Sequence, residues 1–239
     1  MAGSTQSPLT PDTIVDTAER LIVNAEADAR EWSLRSLSRA LGCAPGALYR
    51  HFPGGVEEIF DQVRLRESRR LQSSIIAAED DPGAPGLANL APFSNAARLM
   101  RRCTAYLNFA AGQGAVYRHL FSQPPGASTH PYEAVVGAMI DYPATLIQAA
   151  ARGRELNRTS VGRREAMALA QRIWFQLHGY ADLRMNGVAE SRSSEGDISL
   201  LISLLSMAGF TVAATPAGLD AAARAAMGEP DAPRRQIAG

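Results

Sequence analysis

The stretch from Ser33 to Phe52 reads SLRSLSRALGCAPGALYRHF and decides how the N-terminal part of the chain folds. Ser33 suits a helix N-cap, and Gly42 stands where a helix that ends in the left-handed conformation needs glycine. Pro45 suits the first turn of a second helix, which we predict from Ala44 to Phe52. Two short helices joined in this way form a helix-turn-helix. Apolar residues at helical spacing are predicted to pack inward: Leu34, Leu37, Leu41, Leu48 and Phe52.

Positive charge is concentrated in this motif. Residues 33–56 hold three arginines and no acid, whereas the whole chain balances 24 basic residues against 24 acidic ones. Because the formal net charge is +0, the protein as a whole has no electrostatic attraction to nucleic acid. Binding to DNA would therefore depend on this local surface. Every basic residue is arginine, which reflects either a GC-rich coding genome or the ability of a guanidinium to pair bidentately with phosphate.

Helical periodicity dominates the rest of the sequence, and convincing strand alternation is missing from it. A first helix begins at Thr10-Pro11-Asp12, and a long amphipathic helix from about 56 to 78 follows the motif. Proline and glycine punctuate a candidate linker at 80–92. Further helices are predicted at 93–111, 114–122, 131–151, 162–186 and 196–212. The predicted fold class is all-α, with a three-helix helix-turn-helix domain at 1–56, a larger α-helical domain at 57–214 that helix 56–78 connects to it, and a flexible tail at 215–239.

The remaining composition favours a soluble cytoplasmic protein. Cys43 and Cys103 belong to no metal-ligand spacing and form no disulfide scaffold. Residues 1–11 lack the pattern of a signal peptide. The most apolar segment, Ile198–Phe210, is shorter than the roughly 20 residues that cross a bilayer. We expect no membrane association, no metal and no cofactor.

The elements Gly42-Cys43-Ala44 and Ala47-Leu48-Tyr49-Arg50-His51-Phe52 resemble the signature of TetR-family transcriptional regulators over roughly the first 65 residues. The resemblance implies a repressor that binds a palindromic operator in double-stranded DNA as a homodimer. It also implies that the helix from Ala44 to Phe52 enters the major groove. We choose Arg50 for base readout, with Arg35 as its rival. The residues expected to face DNA are Ser33, Arg35, Ser36, Pro45, Gly46, Tyr49, Arg50 and His51.

Two positions depart from the family pattern. Ala44 stands where the family often has serine, and Gly55 stands where it commonly has lysine after the Phe-Pro turn. A phosphate-binding hydroxyl and a cation are therefore lost, which is expected to lower affinity for DNA. Backbone N–H groups at the start of the following helix are candidates to bind phosphate in their place.

The segment Trp174–Gly179 resembles the Trp-x-x-x-His-Gly element of one type of TetR C-terminal domain. This resemblance implies a four-helix dimer interface from helices 162–186 and 196–212, in which Ala166, Ala170, Gly179 and Ala181 allow close approach. The alternative is that both helices only fill the core of one subunit. By family analogy, a pocket for a small apolar or aromatic effector is expected among helices 93–186. Each candidate for its lining has ordinary core packing as the alternative: Tyr106, Phe109, Tyr117, Phe121, Met139, Tyr142, Trp174 and His178.

Two other classes of function compete with a regulator. An enzyme is not expected, because the sequence has no nucleophile elbow, phosphate-binding glycine loop or zinc-protease motif, and its four histidines do not cluster in sequence. A ligand-binding or protein-interaction module with a weakened DNA-binding head is the second alternative, as Ala44 and Gly55 suggest. The arginine-rich, acid-free surface of the motif argues against such decay.

Overall fold

The computed structural model describes residues 8–24, 33–81, 90–91, 93–121, 133–187 and 194–210. Within these residues the prediction of an all-α fold is confirmed, and β-pairing is limited to an isolated antiparallel bridge between Leu156 and Phe210. Part of the predicted linker, the predicted tail at 215–239 and His130 lie outside the described residues. The helices, in chain order, are α1 Pro11–Asn24, α2 Leu34–Leu41, α3 Pro45–Leu48, α4 Gly55–Glu79, α5 Asn95–Gly112, α6 Gly114–Phe121, α7 Glu133–Val136, a π-helix Gly137–Asp141, α8 Tyr142–Arg152, α9 Arg163–Met185 and α10 Ser194–Met207.

The described residues form two compact units. The first draws on residues 1–72 and 112–135, and the second on residues 73–111 and 136–239. Helix α4 contributes to both, since the division falls after Gln72. The domain boundary predicted at residue 56 stays a prediction.

The first unit has a small apolar core built by α1, α2, α3 and α4. The apolar residues predicted to point inward do so: Leu37 and Leu48 are fully buried, Phe52 is nearly so, and Leu34 and Leu41 pack against them. Helix α1 adds Ile14 and Ala18, and α4 adds Ile59 and Val63. Burial of an aliphatic side chain of this size contributes about 1.5–3 kcal/mol, so this cluster is what holds the short helices in place.

The predicted helix from Ala44 to Phe52 is shorter in the structure. Helix α3 ends at Leu48, and the chain continues to Phe52 in tight turns, with the His51 N–H donating to Leu48 O at 3.0 Å and the Phe52 N–H to the same oxygen at 2.9 Å. Pro53 follows directly and disfavours the α conformation for the residue before it. The second helix of the motif is therefore a single turn plus a hydrogen-bonded extension.

The second unit is built on α5, α8 and α9. Small and aliphatic residues fill its core, among them Leu99, Ile147, Ala150, Ala170 and Leu177. The helical run Glu133–Arg152 is long and apolar enough to cross a membrane, but just over half of its most apolar window is buried inside the protein. The core helix of a globular protein has the same properties.

Candidate functional site

The start of α2 is held by a reciprocal pair of serines. The Ser36 N–H donates to Ser33 Oγ at 3.2 Å, and the Ser33 N–H donates to Ser36 Oγ at 2.9 Å, which is a capping box. The Ser36 hydroxyl also donates to Ser33 O at 2.8 Å. The proton of the exposed Ser33 hydroxyl has only a 3.5 Å contact to Ser36 Oγ. Of the two serines, Ser33 is thus the better placed to donate to a phosphate.

The turn between α2 and α3 has the backbone that the sequence predicts. Gly42 adopts φ 65° and ψ 27°, and its N–H donates to Arg39 O at 3.2 Å. The Cys43 N–H donates to Ser38 O at 3.0 Å. These bonds end α2 as a Schellman-type motif ends a helix. The angle between the two helices of the motif is set by this turn and by the contact of Leu37 and Leu48 in the core.

The three arginines of the motif are exposed. Arg35 and Arg39 lie on α2 and Arg50 lies just after α3. Within the described part of the chain, none of these three guanidinium groups has an ion-pair partner. Their charges are therefore not neutralised by the fold.

Three of the four arginines of α4 in the first unit, Arg64, Arg66 and Arg70, behave differently. Arg66 pairs with Asp12, Asp16 and Glu19 of α1, and Arg70 pairs with Glu19 and, at 2.5 Å, with Glu67. Arg64 pairs with Asp61 at 2.9 Å and lies over the Phe60 ring. These ion pairs join α1 to α4 and α4 to itself, so the positive charges of Arg64, Arg66 and Arg70 are used inside the unit. The α2–α3 surface differs in that three arginines without an ion-pair partner in the described residues lie within one short stretch that contains no acid.

The Tyr49 ring lies where a side chain at position 55 would be, and Gly55 leaves that space open. Tyr49 is 49% exposed, and a Cβ at Gly55 would lie 3.0 Å from its Cε1 atom. Gly55 also adopts φ +68°, a conformation that side-chain-bearing residues rarely take. Gly55 therefore cannot be replaced by the family's lysine without strain in this backbone. One edge of the Tyr49 ring therefore lies against Gly55, while about half of the residue is exposed to solvent.

The start of α4 is occupied by its own chain. The Gly54 N–H donates to Glu58 Oε2 at 2.8 Å, and the Gly55 N–H donates to Phe52 O at 2.9 Å. Glu57 and Glu58 also place two acids in the first turn. Two of the N–H groups predicted to replace the lost lysine are thus already bonded. An incoming phosphate would in addition meet negative charge there.

All eight residues predicted to face DNA lie in or beside α2 and α3 of the first unit. Six are exposed and two, Ser36 and His51, are half-buried. A Cβ at Gly46 would meet no atom within 4 Å, so neither packing nor backbone conformation requires glycine there. The structure brings these residues together on one short stretch, and their contacts with DNA stay a prediction.

The residues predicted to line an effector pocket are divided between the two units. Tyr117 and Phe121 lie on α6 in the first unit, with ring centroids 4.7 Å apart. The second unit holds the other six, on α5, the π-helix, α8 and α9: Tyr106, Phe109, Met139, Tyr142, Trp174 and His178. Within the first unit, the neighbouring His119 ring packs on Phe60 at 4.8 Å, and burial lowers the pKa of His119 to about 4.

Polar groups on α5 and α9 meet inside the second unit. The fully buried Tyr106 places its hydroxyl 2.9 Å from His178 Nδ1. Burial lowers the pKa of His178, with a smaller opposing effect from Asp182, so this imidazole is neutral at physiological pH. Trp174 Nε1 is buried and has no hydrogen-bond partner among the described residues. Whether these side chains line a pocket stays a prediction.

One face of α9 is buried in its own subunit, and the opposite face exposes large apolar side chains. Ala166, Ala170 and Ala181, predicted to lie in a dimer contact, are buried in the core of their own chain. The outer face carries Phe175, which is 57% exposed, and Leu183, which is 48% exposed. The three alanines therefore allow close packing within the subunit, whereas the predicted Gly179 is exposed, four residues from both Phe175 and Leu183. Any dimer contact of α9 would use this exposed face.

A buried ion-pair cluster in the second unit was not predicted from the sequence. Glu79, the last residue of α4, accepts from Arg98 at 2.5 Å, from Arg102 at 2.6 Å and from the Tyr142 hydroxyl at 2.7 Å. Arg101 Nη1 donates to the Glu79 carbonyl at 2.8 Å and so caps the end of α4. Arg102 is 2% exposed, and its guanidinium lies 4.6 Å from the centroid of the Tyr142 ring.

The π-helix provides a further bond to Arg102. The Tyr142 N–H donates to Gly137 O, five residues back, and the next residue, Pro143, has no N–H to offer Ala138 O. Arg102 Nη2 donates to Ala138 O at 2.5 Å instead. The Arg-x-x-Arg-Arg spacing on the otherwise apolar helix α5 is the sequence signal that could have indicated this cluster.

The described residues contain no group of three or more His, Cys, Asp or Glu side chains arranged to hold a metal ion. Both cysteines are free. Cys103 is buried, and burial raises the pKa of its thiol to about 12, so it is unreactive at neutral pH.

Comparison with known proteins identifies the class of the C-terminal part. Residues 99–201 match the family model of the tetracyclin repressor-like C-terminal domain. A comparison of the sequence with curated proteins gives no match. The expected TetR resemblance is confirmed by the domain match and by the fold, while the Trp-x-x-x-His-Gly element stays a prediction.

Solved structures share the fold over most of their length at low sequence identity. A protein of unknown function from Rhodococcus sp. RHA1 is 18% identical with a TM-score of 0.65, covering 87% of this chain and 97% of its own. A TetR-family regulatory protein from Rhodococcus RHA1 is 17% identical with a TM-score of 0.58, covering 86% and 100%. The fatty acid degradation regulator of Bacillus halodurans is 14% identical with a TM-score of 0.59, covering 81% and 97%. The fold is thus that of TetR-like transcriptional regulators.

Proposed function

We propose that this chain, which carries a TetR-like C-terminal domain within a TetR-like fold, is a sequence-specific DNA-binding transcriptional repressor that a small-molecule effector releases from its operator. The observation that carries the proposal is the contrast between two sets of arginines. Arg64, Arg66 and Arg70 of α4 are paired with acids, whereas Arg35, Arg39 and Arg50 are exposed on a capped helix-turn-helix that carries no acid, and none of the three has an ion-pair partner in the described residues. Exposed guanidinium groups and the hydroxyls of the exposed residues Ser33 and Tyr49 suit phosphate and base edges.

The roles within the motif follow from exposure and geometry. Ser33 donates to a phosphate at the start of α2, while Arg50 reads a base or pairs with a phosphate. The exposed part of the Tyr49 ring contacts the sugar-phosphate backbone. Gly46 lets the backbone of α3 approach the duplex, because it offers no side chain on the outer surface. These contacts place α3 in the major groove.

Two features favour a homodimer: the symmetry of a palindromic operator and the exposed apolar side chains on the outer face of α9. Two identical heads read a palindromic operator, because operator symmetry mirrors protein symmetry. Phe175 and Leu183 lie eight residues apart on one face of α9 and are about half exposed. Apolar side chains of this size are expected to be covered in a partner contact with α9 and α10 of a second copy.

The effector is proposed to bind in the second unit, which holds the Tyr106–His178 pair and the Trp174 N–H, a donor without a partner among the described residues. It is expected to be a small apolar or aromatic molecule. A protein that works on DNA in this way is expected in the cytoplasm, and we expect no catalytic activity.

Fluorescence anisotropy on DNA from upstream of the protein's own gene, with a scrambled duplex for comparison and at two salt concentrations, tests the proposal. We expect tight binding that prefers the native duplex and survives the higher salt. Arg50→Ala should lower specific binding by about 1–3 kcal/mol if Arg50 reads a base. An equal loss on both duplexes with a shallower salt dependence would assign Arg50 to phosphate instead.

Arg69→Ala is the matched control, because Arg69 is an exposed arginine of the same unit that lies on α4, outside the motif. Its affinity for DNA should equal that of the wild type.

A second candidate function is a ligand-binding module with a weakened DNA-binding head. The observation in its favour is the start of α4, where Glu58 occupies a backbone N–H and Gly55 replaces a cation. Weak binding that is equal on all duplexes, followed by failure of a genome-wide DNA selection, would reject the first function and favour the second.

A further inference from the structure

The Glu79 carboxylate is surrounded by donors from two other helices. Arg98 and Arg102 of α5 approach Oε1 and Oε2 at 2.5 and 2.6 Å, and the Tyr142 hydroxyl of α8 donates to Oε1 at 2.7 Å. Two guanidinium groups and a phenol converging on one carboxylate form the arrangement with which proteins bind carboxylate ligands. Here the ligand is the chain's own side chain.

The donors are held in place by bonds that do not involve Glu79. Arg102 also donates to Ala138 O and lies against the Tyr142 ring, and Arg98 also contacts Asp80 at 3.3 Å. The Nε atoms of Arg98 and Arg102 are buried and have no hydrogen-bond partner among the described residues. The donor set therefore has independent support and retains unused hydrogen-bonding capacity.

The cluster is open on one side. Tyr142 is 37% exposed, the Arg98 side chain is 29% exposed, and Asp80 beside it is 73% exposed. An anion from solution can therefore reach the donors past Tyr142 and Arg98, although Glu79 and Arg102 themselves are almost fully buried.

We propose that Arg98, Arg102 and Tyr142 form a carboxylate-binding site that Glu79 occupies in this structure, and that an effector bearing a carboxylate competes with Glu79 for it. The competitor takes over the three donors and releases the Glu79 side chain. Because Glu79 is the last residue of α4, its release frees the end of the helix that begins three residues after the helix-turn-helix motif. This last step rests on the proposed function.

The first test is chemical rescue of full-length Glu79→Ala by acetate. The substitution removes a CH2–COO⁻ group, which matches acetate in size and charge, and leaves the three donors in place. Thermal unfolding is followed by circular dichroism at pH 7.5 in 200 mM sodium acetate or sodium chloride. We expect the midpoint of the variant to be at least about 3 °C higher in acetate than in chloride, beyond any difference that the wild type shows.

Two further variants make the rescue specific. Glu165→Ala removes an acid that pairs with Arg158 on the surface, and it should show no midpoint gain in acetate. Glu79→Ala combined with Tyr142→Phe should lose part of the gain, because one donor to the carboxylate is removed. If Glu79→Ala is unfolded in chloride, recovery of cooperative unfolding in acetate is the same positive result. If the unfolding midpoint of Glu79→Ala is the same in acetate and in chloride, the proposed carboxylate site is refuted.

The second test measures DNA affinity of the same proteins, relative to the wild type in the same salt. Acetate fills the site without a covalent link to α4, so Glu79→Ala should bind operator DNA at least about fivefold more weakly in both salts. If acetate restored both the stability and the DNA affinity of Glu79→Ala, displacement of Glu79 could not be what releases the protein from DNA. If the wild type binds no specific DNA, the proposed function fails, but the acetate rescue still decides whether the carboxylate site exists.

Discussion

Replacing Gly46 with alanine adds one methyl group to the outer surface of α3 and leaves every charge of the motif unchanged. A Cβ at this position meets no heavy atom within 4 Å, and the backbone lies outside the left-handed region, so the methyl causes no strain. Alanine favours a helix over glycine by about 0.5–1 kcal/mol in a helix interior. Because Gly46 is the second residue of a four-residue helix, the lower end of that range applies.

The expected result is a protein that is slightly more stable and binds DNA less tightly. For a chain of this length the stability gain corresponds to a rise in Tm of about 1–2 °C. If the backbone of α3 lies against the duplex, the methyl occupies that contact, and we expect affinity to fall at least about tenfold, or 1.4 kcal/mol. Thermal unfolding and fluorescence anisotropy on the same preparation measure the two effects.

Gly112→Ala is the matched control, because a Cβ at Gly112, the exposed last residue of α5, also has no atom within 4 Å. It should leave affinity for DNA unchanged. Wild-type affinity of Gly46→Ala, with the small gain in stability, would refute the close approach of α3 to DNA. A loss of both stability and affinity would instead show that the packing of Gly46 had been misjudged.

Three further predictions concern the stability of the first unit. Ser33→Ala removes one half of the capping box and should lower the free energy of unfolding, measured in urea, by about 1 kcal/mol. No measurable change would mean that Ser36 alone caps α2. Gly42→Ala forces a side chain into φ 65° and should cost about 1 kcal/mol; an unchanged midpoint would show that the turn adapts. Burial and the nearby Glu19 raise the pKa of Glu67 from 4.5 to about 7, so the stability that its protonated carboxyl provides is complete below pH 4.5 and is lost as the pH rises through 7. Glu67→Gln stays neutral at both pH values, so its free energy of unfolding should exceed that of the wild type by up to about 3 kcal/mol at pH 8 and by little at pH 4.5. Urea unfolding at both pH values measures the difference. An equal gain at the two pH values would contradict the prediction.

Local signals predicted the first half of the motif well. The cap at Ser33, the end of α2 at Gly42 and the inward set of leucines depend on neighbours in sequence, and the structure confirms each of them. The second helix was predicted too long because apolar spacing at Leu48 and Phe52 fits both a regular helix and the tighter turns that Pro53 favours. Spacing alone does not distinguish these two.

Contacts between distant parts of the chain could not be predicted in the same way. Glu79 and Arg102 are separated by 23 residues, and nothing in the sequence indicates which acid faces which arginine. The π-helix follows from Pro143 only once Arg102 is known to supply the missing donor. The aromatic residues proposed as pocket lining raise a related difficulty, since Tyr117 and Phe121 have the same helical spacing as core residues and lie in the other unit.

Arginine has three roles in this chain, and its surroundings determine which one applies. In the first unit, Arg64, Arg66 and Arg70 of α4 are matched by acids of α1 and α4, and removing Arg70 would leave the buried Glu67 without its ion-pair partner. In the second unit, Arg98 and Arg102 share the Glu79 carboxylate, while Arg98 also pairs with Asp80 and Arg102 with the Ala138 carbonyl. On α2 and after α3 the arginines are exposed without an ion-pair partner in the described residues. An exposed guanidinium contributes little to folding, so the concentration of three of them on an acid-free motif supports the proposal that this surface binds DNA.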